Sequence, residues 1–418
     1  MRLQDIFQQS WDALKRNPTR SFLTMLGIIW GIATVTLLMA YGNGFRGVLL
    51  HGFEAFGKSA VICWPGQTSE QAGGERAGKR IRFEQADVDA IQQEATLVRV
   101  ACLETVKRVA MNYNERVINA TVRGVCPEYG EMRNEVPSDG RWISTDDQGE
   151  RRRVAFLGGK VREKLFSGRP AVGETVTISG VRYTVLGTMD NKLQLSNYFN
   201  SDDESVFIPY SSAAELWDAR YGSVMVFTPI GPQFEKAAMQ QVRSTVGKRQ
   251  GFGSGDKRAI QMFGRQEFRP VIDGITIGLQ VLLLFIGVLT LAIGGVGVMN
   301  IMLVSVQERI REIGLRLAIG ARRRHIRTQF LCEALALTLA GGVVGVILAY
   351  LISAAVGTLP LLGPMFEDDS GKGDMRLQID LATVAVSTIV LVLTGVMSGL
   401  IPAVRASRLD PSEALRYE

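Results

Sequence analysis

Two stretches of this 418-residue chain have residue types and spacings that point to chemistry. Gly73, Gly78 and Lys79 fit G-x-x-x-x-G-K, a pattern in which backbone N–H groups cradle phosphates and the lysine reaches the terminal ones. The fit stops there. Arg80 stands where a Ser or Thr hydroxyl must hold magnesium, no buried strand leads in, and the polar, glycine-rich stretch 66–79 reads as a mobile loop. The chain contains no other phosphate-loop pattern. The second stretch, GGVGVMNIMLVSVQERIREIGLRLAIGARRRHIR at 294–327, suggests force rather than bond-making. Ile310, Ile313, Gly314 and Leu317 follow i, i+3, i+4, i+7 spacing and share one helix face. Glu312 precedes Arg316 in the favoured acid-before-base order, and Gly320 is a C-terminal stop before Arg322, Arg323 and Arg324. Such a helix can pass a push from a cytoplasmic partner into a membrane. Ile310, Ile313 and Leu317 would sit in the partner's groove. Glu308, Arg309, Arg311 and Glu312 would reach its rim, and Gly314 would permit close approach. The alternative is a basic loop that only fixes topology.

Other chemistry finds little support. The chain has two histidines, His51 and His325, no C-x-x-C and no His cluster, so neither a metal site nor a Ser-His-Asp triad is expected. Of four cysteines, Cys63, Cys102 and Cys126 fall in one soluble segment and Cys332 in an apolar one. An odd number is not a disulfide framework; one pair is allowed, and the spacing does not choose it.

The elements that carry the 294–327 stretch follow from composition. Hydrophobic residues make up 46%, charged ones 21%, and net charge is +6, but the apolar residues are segregated. Uncharged or nearly uncharged runs occupy 21–45, 274–306, 334–366 and 381–404, each long enough against the ~20 residues that cross a bilayer. The first run is too long for a secretory h-region and reads as a retained anchor. Arg2, Lys15, Arg16 and Arg20 precede it, seven arginines lie between the second and third runs, and Arg405 and Arg408 follow the fourth. Glu367, Asp368, Asp369 and Asp374 lie between the third and fourth. The positive-inside rule then puts both termini and 307–328 in the cytoplasm and 46–270 outside. It also accounts for the basic balance without a nucleic acid.

The expected order is an amphipathic helix at 1–20 lying on membrane lipid, then a first crossing at 21–45 that leaves the bilayer through a flexible Gly42-Asn43-Gly44. An outer domain fills 46–270. Crossings follow at 271–306, 329–356 and 379–404, separated by the coupling loop 307–328 and a short outer loop 357–378, with a cytoplasmic tail at 405–418. In the outer domain, helices are expected at 83–94, after 159, at 211–220 and at 234–246. Strands are expected at 98–106, 116–125, 154–157, 205–208 and 224–228, with a hairpin over 175–189 turning at Ser179-Gly180. The fold class is α+β: four transmembrane helices with a large mixed α/β extracytoplasmic domain between helices 1 and 2, strand-rich near 115–200. Gly294, Gly295, Gly297, Gly341, Gly342 and Gly345 allow close helix packing, within one subunit or at a dimer seam. Glu333, just inside the third helix, needs a partner such as Arg327 or Arg405, or snorkels.

These motifs together resemble the FtsX-like permeases of ABC transporters, in the MacB-type branch. The resemblance rests on NPTRSFLTMLGIIWGI at 17–32, the block at 294–326, GLIPAVRASRLDPSEALRYE at 399–418, GKVREKLF at 159–166 and VFIPYSSA at 206–213. It implies a multi-pass inner-membrane efflux permease that acts by mechanotransmission. In that scheme two permease subunits bind two ATPase subunits, and ATP-driven closure moves the helix at 308–319. Cargo is handled outside, with a periplasmic adaptor and an outer-membrane channel. The best-known macrolide exporter carries its ATPase ahead of the first helix, whereas twenty residues stand there in this sequence. The expectation is therefore a separate ABC ATPase chain that binds ATP and magnesium, with no cofactor, metal or catalysis in this one. Rival readings are a regulator of an outside hydrolase, a lipoprotein-release permease, and a sensor without an ATPase.

Overall fold

The computed structural model describes residues 18–54, 57, 60–70, 77–192, 194, 197–363, 371 and 373–414. Residues 1–17 of the expected amphipathic helix, Gly73 of the rejected phosphate-loop pattern, the acidic residues 367–369 and residues 415–418 lie outside them. The chain divides into two compact units, one made of 1–47, 274–359 and 374–418, the other of 48–273 and 360–373.

The first unit is built on four helices long and apolar enough to cross a membrane: α1 (Pro18–Glu54), α8 (Arg265–Glu308), α10 (Arg323–Val356) and α11 (Leu381–Ser407), with α2–α7 in the inserted unit. Ile28, Ile32 and Val35, at i, i+4, i+7 on α1, pack in one core with Leu291, Val298 and Met302 of α8, Phe330 and Ala334 of α10, and Leu391, Ala403 and Ala406 of α11. Five of the six glycines put their missing side chain to use within this single chain. A Cβ on Gly294 would lie 2.8 Å from the Gly27 carbonyl oxygen, and one on Gly345 would lie 2.7 Å from that of Ile29. Gly341 abuts Ile28, Gly342 abuts Leu391, and Gly295 abuts Thr394 and Ser398; Gly297 is half-buried. Gly42-Asn43-Gly44 is not a flexible exit, because α1 runs through it. Asn43 donates to Thr383 Oγ1 at 3.0 Å and accepts from Gln280 at 3.0 Å, while Gly44 lies against Met375 and Arg376.

The inserted unit is organised on a mixed ten-stranded sheet, β1 (Val61–Pro65), β2 (Val98–Tyr113), β3 (Arg116–Val125), β4 (Pro137–Gly140), β5 (Val154–Leu157), β6 (Thr175–Ile178), β7 (Val181–Met189), β8 (Ser205–Pro209), β9 (Val224–Pro229) and β10 (Ile260–Phe263). The order is β10-β1-β9-β2-β3-β8-β5-β7-β4, with β6 paired to β2 and β7. The β3–β8 and β5–β7 pairs are parallel and the others antiparallel. Period-two alternation assigns the two faces. Val61, Cys63, Ala101, Leu103, Met225 and Phe227 pack on one face under α2 (Gln85–Glu94) and α7 (Glu235–Gln250). Ile62, Cys102, Val224 and Val226 face the other way, with Tyr129 and Met132 of α3 (Tyr129–Arg133). Further along, Ala155, Leu157, Val206 and Ile208 pack under α5 (Gly159–Phe166), while Phe156 and Phe207 turn to the opposite face.

Most expected elements are present, with three corrections. β2 runs to Tyr113, because β3 and β6 pair its far half after β9 pairs its near half. The helix expected at 211–220 is only α6 (Tyr210–Ala213), where Ser211 Oγ donates to the Gln148 carbonyl of the short α4 (Thr145–Gly149); the Tyr210 hydroxyl then bonds the Ala219 carbonyl and turns the chain. The first residue of α2 is Gln85, since Glu84 and Asp87 form a capping box while Phe83 bridges Gly222. The hairpin turns as expected at Ser179-Gly180, both at positive φ, 48° and 87°. The disulfide is Cys102–Cys126, and Cys63 is buried and free.

A buried charge cluster joins these strands. Arg123 of β3, 0% exposed, meets Glu104 of β2 at 3.1 Å and Asp202 at 3.7 Å. Arg133 and Lys192 each reach Asp202 at 3.0 Å, and Lys192 reaches Glu135 at 3.0 Å. Three cations thus face three carboxyls. Burial pushes Asp202 up, but Arg133, Lys192 and Arg123 outweigh it and hold its carboxyl well below the usual range. Burial raises Glu104 against the pull of Arg123, and burial plus the Asp202 charge push Glu135 up to about 8. Nothing in hydrophobic periodicity marks these residues.

Candidate coupling site

The sequence from Val306 to Ala321 turns one long helix into a short one. α8 ends at Glu308, and α9 (Ile310–Ala318) begins after Arg309, whose φ of −111° and ψ of 15° break the helix. The break is pinned, since Arg309 Nη1 lies 3.4 Å from Glu333 Oε2 of α10. The partner of Glu333 is therefore Arg309, reached across the helix break, and not Arg327 or Arg405. At the other end Gly320, at φ 98°, terminates α9 as expected. Ala321 N–H donates to the Arg316 carbonyl and Gly320 N–H to that of Leu317, each at 3.0 Å, which is the Schellman pattern that favours glycine. Arg316 does not spend its charge on Glu312. Its guanidinium donates to Gln329 of α10 at 2.9 Å, and Glu312 stays exposed.

The apolar face of α9 is turned inward, not outward as the sequence suggested, while Arg311 and Glu312 remain exposed. Ile313 is 3% exposed and Leu317 packs beside it in the core of the helical unit, while Ile310 is half-buried. Gly314 is buried against Ala414 of α12 (Pro411–Ala414), so the space beside it is taken by this chain and is not open to a partner. The physical reason is plain amphipathicity: the apolar stripe of a short helix packs on the nearest apolar surface, and here that surface is intramolecular. What the helix and its C-cap offer outward is Arg311, Glu312, Leu315, Ala318 and Ile319. Arg311, Leu315, Ala318 and Ile319, at i, i+4, i+7, i+8, share one stripe, with Glu312 at its edge. Leu315 is 52% exposed and Ile319 79%, both on the segment that links two membrane-length helices. Leu315 and Ile319 were missed because they lie off the first stripe of apolar spacing. The signal that would have found them is that α9 is apolar on two sides.

The outward stripe has two apolar anchors flanked by acid and base, the break at Arg309 is held to α10, and α12 covers the inward stripe.

Two family models cover the chain, the MacB-like periplasmic core domain over residues 21–245 and the FtsX-like permease C-terminal region over 240–411. The chain belongs to the MacB-like, FtsX-type permease family. It is 30% identical over its full length to the macrolide export ATP-binding/permease protein MacB of Hahella chejuensis, and 32% identical over 98% of its length to that of Chlorobium luteolum. It spans about three fifths of those relatives, 61% and 60% of their lengths. Among solved structures, the periplasmic region of MacB from Actinobacillus actinomycetemcomitans aligns at TM-score 0.41 and 13% identity, over 54% of this chain and 97% of that one. This family consists of ABC transporter permeases. The four apolar helices and family membership make the chain an inner-membrane protein with an extracytoplasmic α/β domain.

Proposed function

We propose that the chain is the permease subunit of an ABC-type efflux complex and couples ATP hydrolysis on a separate ATPase chain to movement of its extracytoplasmic domain. The observation that carries this reading is the outward stripe of α9, where Leu315 and Ile319 stay exposed while Ile313 and Gly314 are buried on the opposite face. A loop that served only topology would need arginines, not two large apolar side chains held outward by a capped helix. In this reading ATP and magnesium are held by the ATPase. A load on α9 passes into α8 at Arg309 and into α10 through Glu333 and Gln329. α1 and α8 lead into the extracytoplasmic domain. Two copies of the chain with two ATPase subunits, a periplasmic adaptor and an outer-membrane channel complete the assembly in this reading, with both termini and the loop at 307–328 in the cytoplasm.

The test is purification from native membranes, with mass spectrometry of what comes with the chain and an ATPase assay of the isolated chain and of the complex. An ABC ATPase in the complex, activity only in its presence, and indifference of that activity to Lys79→Ala are expected. A chain that purifies without any ATPase supports a stand-alone sensor and refutes the proposal.

A further inference from the structure

We propose that α12 is a brace for the coupling helix, with Ala414 as the positioning residue that fills the notch at Gly314. The consequence for coupling rests on the function proposed above, whereas the contact itself does not. A glycine in a helix interior destabilises it relative to alanine, so Gly314 needs a packing reason. The reason is visible. A Cβ on Gly314 would lie 2.5 Å from the Cβ of Ala414, closer than two carbons can stand. Ala414 is itself 2% exposed. Ile313 and Leu317, on either side of the notch, share a cluster with Leu409, which leads into α12. So α9 is gripped along its inward face by the segment 409–414.

Four residues do not make a stable helix alone. Local bonds start α12: Asp410 accepts from Ser412 N–H at 2.8 Å and from its hydroxyl at 2.7 Å, and Ala414 N–H reaches the Asp410 carbonyl at 2.9 Å. Asp before a proline in the first helical position is the favoured start. Docking on Gly314 supplies the rest. Because α12 follows α11 after only three residues, the brace ties α9 to the end of the fourth membrane helix. A push on Leu315 and Ile319 then has a second way out. It reaches α8 and α10 through Arg309 and Glu333, and α11 through Gly314 and Ala414.

The experiment is hydrogen exchange of peptides covering 409–414 in the full chain, followed by the same variants with the ATPase present. Gly314→Ala adds one methyl where there is no room. It should speed exchange there about thirtyfold, the equivalent of ~2 kcal/mol of overpacking. Gly314→Ala with Ala414→Gly moves the methyl across the same contact and should restore slow exchange. ATPase turnover in the complex should fall with the single variant and return with the double. Exchange unmoved by Gly314→Ala, or not restored by the double variant, overturns the brace. Exchange that follows the pattern while turnover ignores it overturns the positioning role. If the wild-type chain neither binds nor stimulates an ATPase, the coupling function fails, and the exchange result still decides the contact.

Discussion

Removing the Arg123 guanidinium should unsettle the extracytoplasmic domain by an amount set by which carboxylate it abandons. Arg123 and Glu104 are both 0% exposed and 3.1 Å apart. Breaking a buried pair by deleting one partner costs about 3–5 kcal/mol, because the other charge is left without compensation. In Arg123→Met, Asp202 keeps Arg133 and Lys192, each at 3.0 Å, so of the two carboxylates only Glu104 is stranded, while the Tyr198 and Asn200 carbonyls lose a donor. Glu104 also keeps the Tyr198 hydroxyl. The loss should therefore fall near the low end, about 3 kcal/mol, or roughly 6–12 °C in the melting of a domain of this size. The sign of its pH dependence follows. Burial already raises Glu104, and loss of Arg123 raises it further. A carboxyl whose folded pKa exceeds its unfolded value stabilises the fold at low pH and loses that contribution as pH rises. The deficit of the variant should thus be smaller at pH 5 than at pH 8. The assay is thermal unfolding of the full chain in detergent, followed by tryptophan fluorescence. Replacing Glu104 as well, in Arg123→Met with Glu104→Met, should recover part of the loss. A shift under about 3 °C, or a larger deficit at pH 5, refutes the reasoning.

Asp203 gives a second pH test. Burial pushes its carboxyl up to about 7, against the hydrogen bond from Lys192 N–H at 2.8 Å. Its contribution is complete below the unfolded value near pH 4 and is lost as pH rises through 7, so Asp203→Asn should flatten that part of the stability profile; an unchanged slope shows the group is not titrating there. Orientation is tested by single cysteines in a background with Cys63 and Cys332 replaced. Position 70 should label from outside intact cells, and positions 322 and 412 only after the membrane is opened. Labelling of position 322 from outside refutes the orientation.

The fold was legible where the chain repeats a period. The four membrane helices stood out as uncharged runs, and the hairpin at 175–189 as alternation about Ser179-Gly180. Gly320 was readable as a stop because only a glycine suits the left-handed end of α9. What could not be read depends on contacts distant in sequence. β1 and β10 are short and pair with each other across about two hundred residues, so neither shows a pattern alone. Arg123, Arg133 and Asp202 look like ordinary surface charges until the sheet brings them together. In the candidate coupling site a short helix and its stop at Gly320 were readable, but not the break at Arg309 or which face is free. The stripe of Ile310, Ile313 and Leu317 announced a contact without naming the partner, and Ala414 was invisible as that partner at a separation of one hundred residues.

Pull-down of the ATPase by Leu315→Asp, Ile319→Asp and the double variant tests most directly whether the outward stripe of α9 receives it. Neither side chain holds the fold, so all three proteins should reach the membrane at wild-type levels and keep slow exchange at 409–414. An apolar anchor at such a contact contributes about 2 kcal/mol, so each variant should weaken ATPase binding roughly thirtyfold and the double variant should abolish coupled turnover. Full ATPase binding and turnover by the double variant would contradict the account and leave α9 as a topological connector.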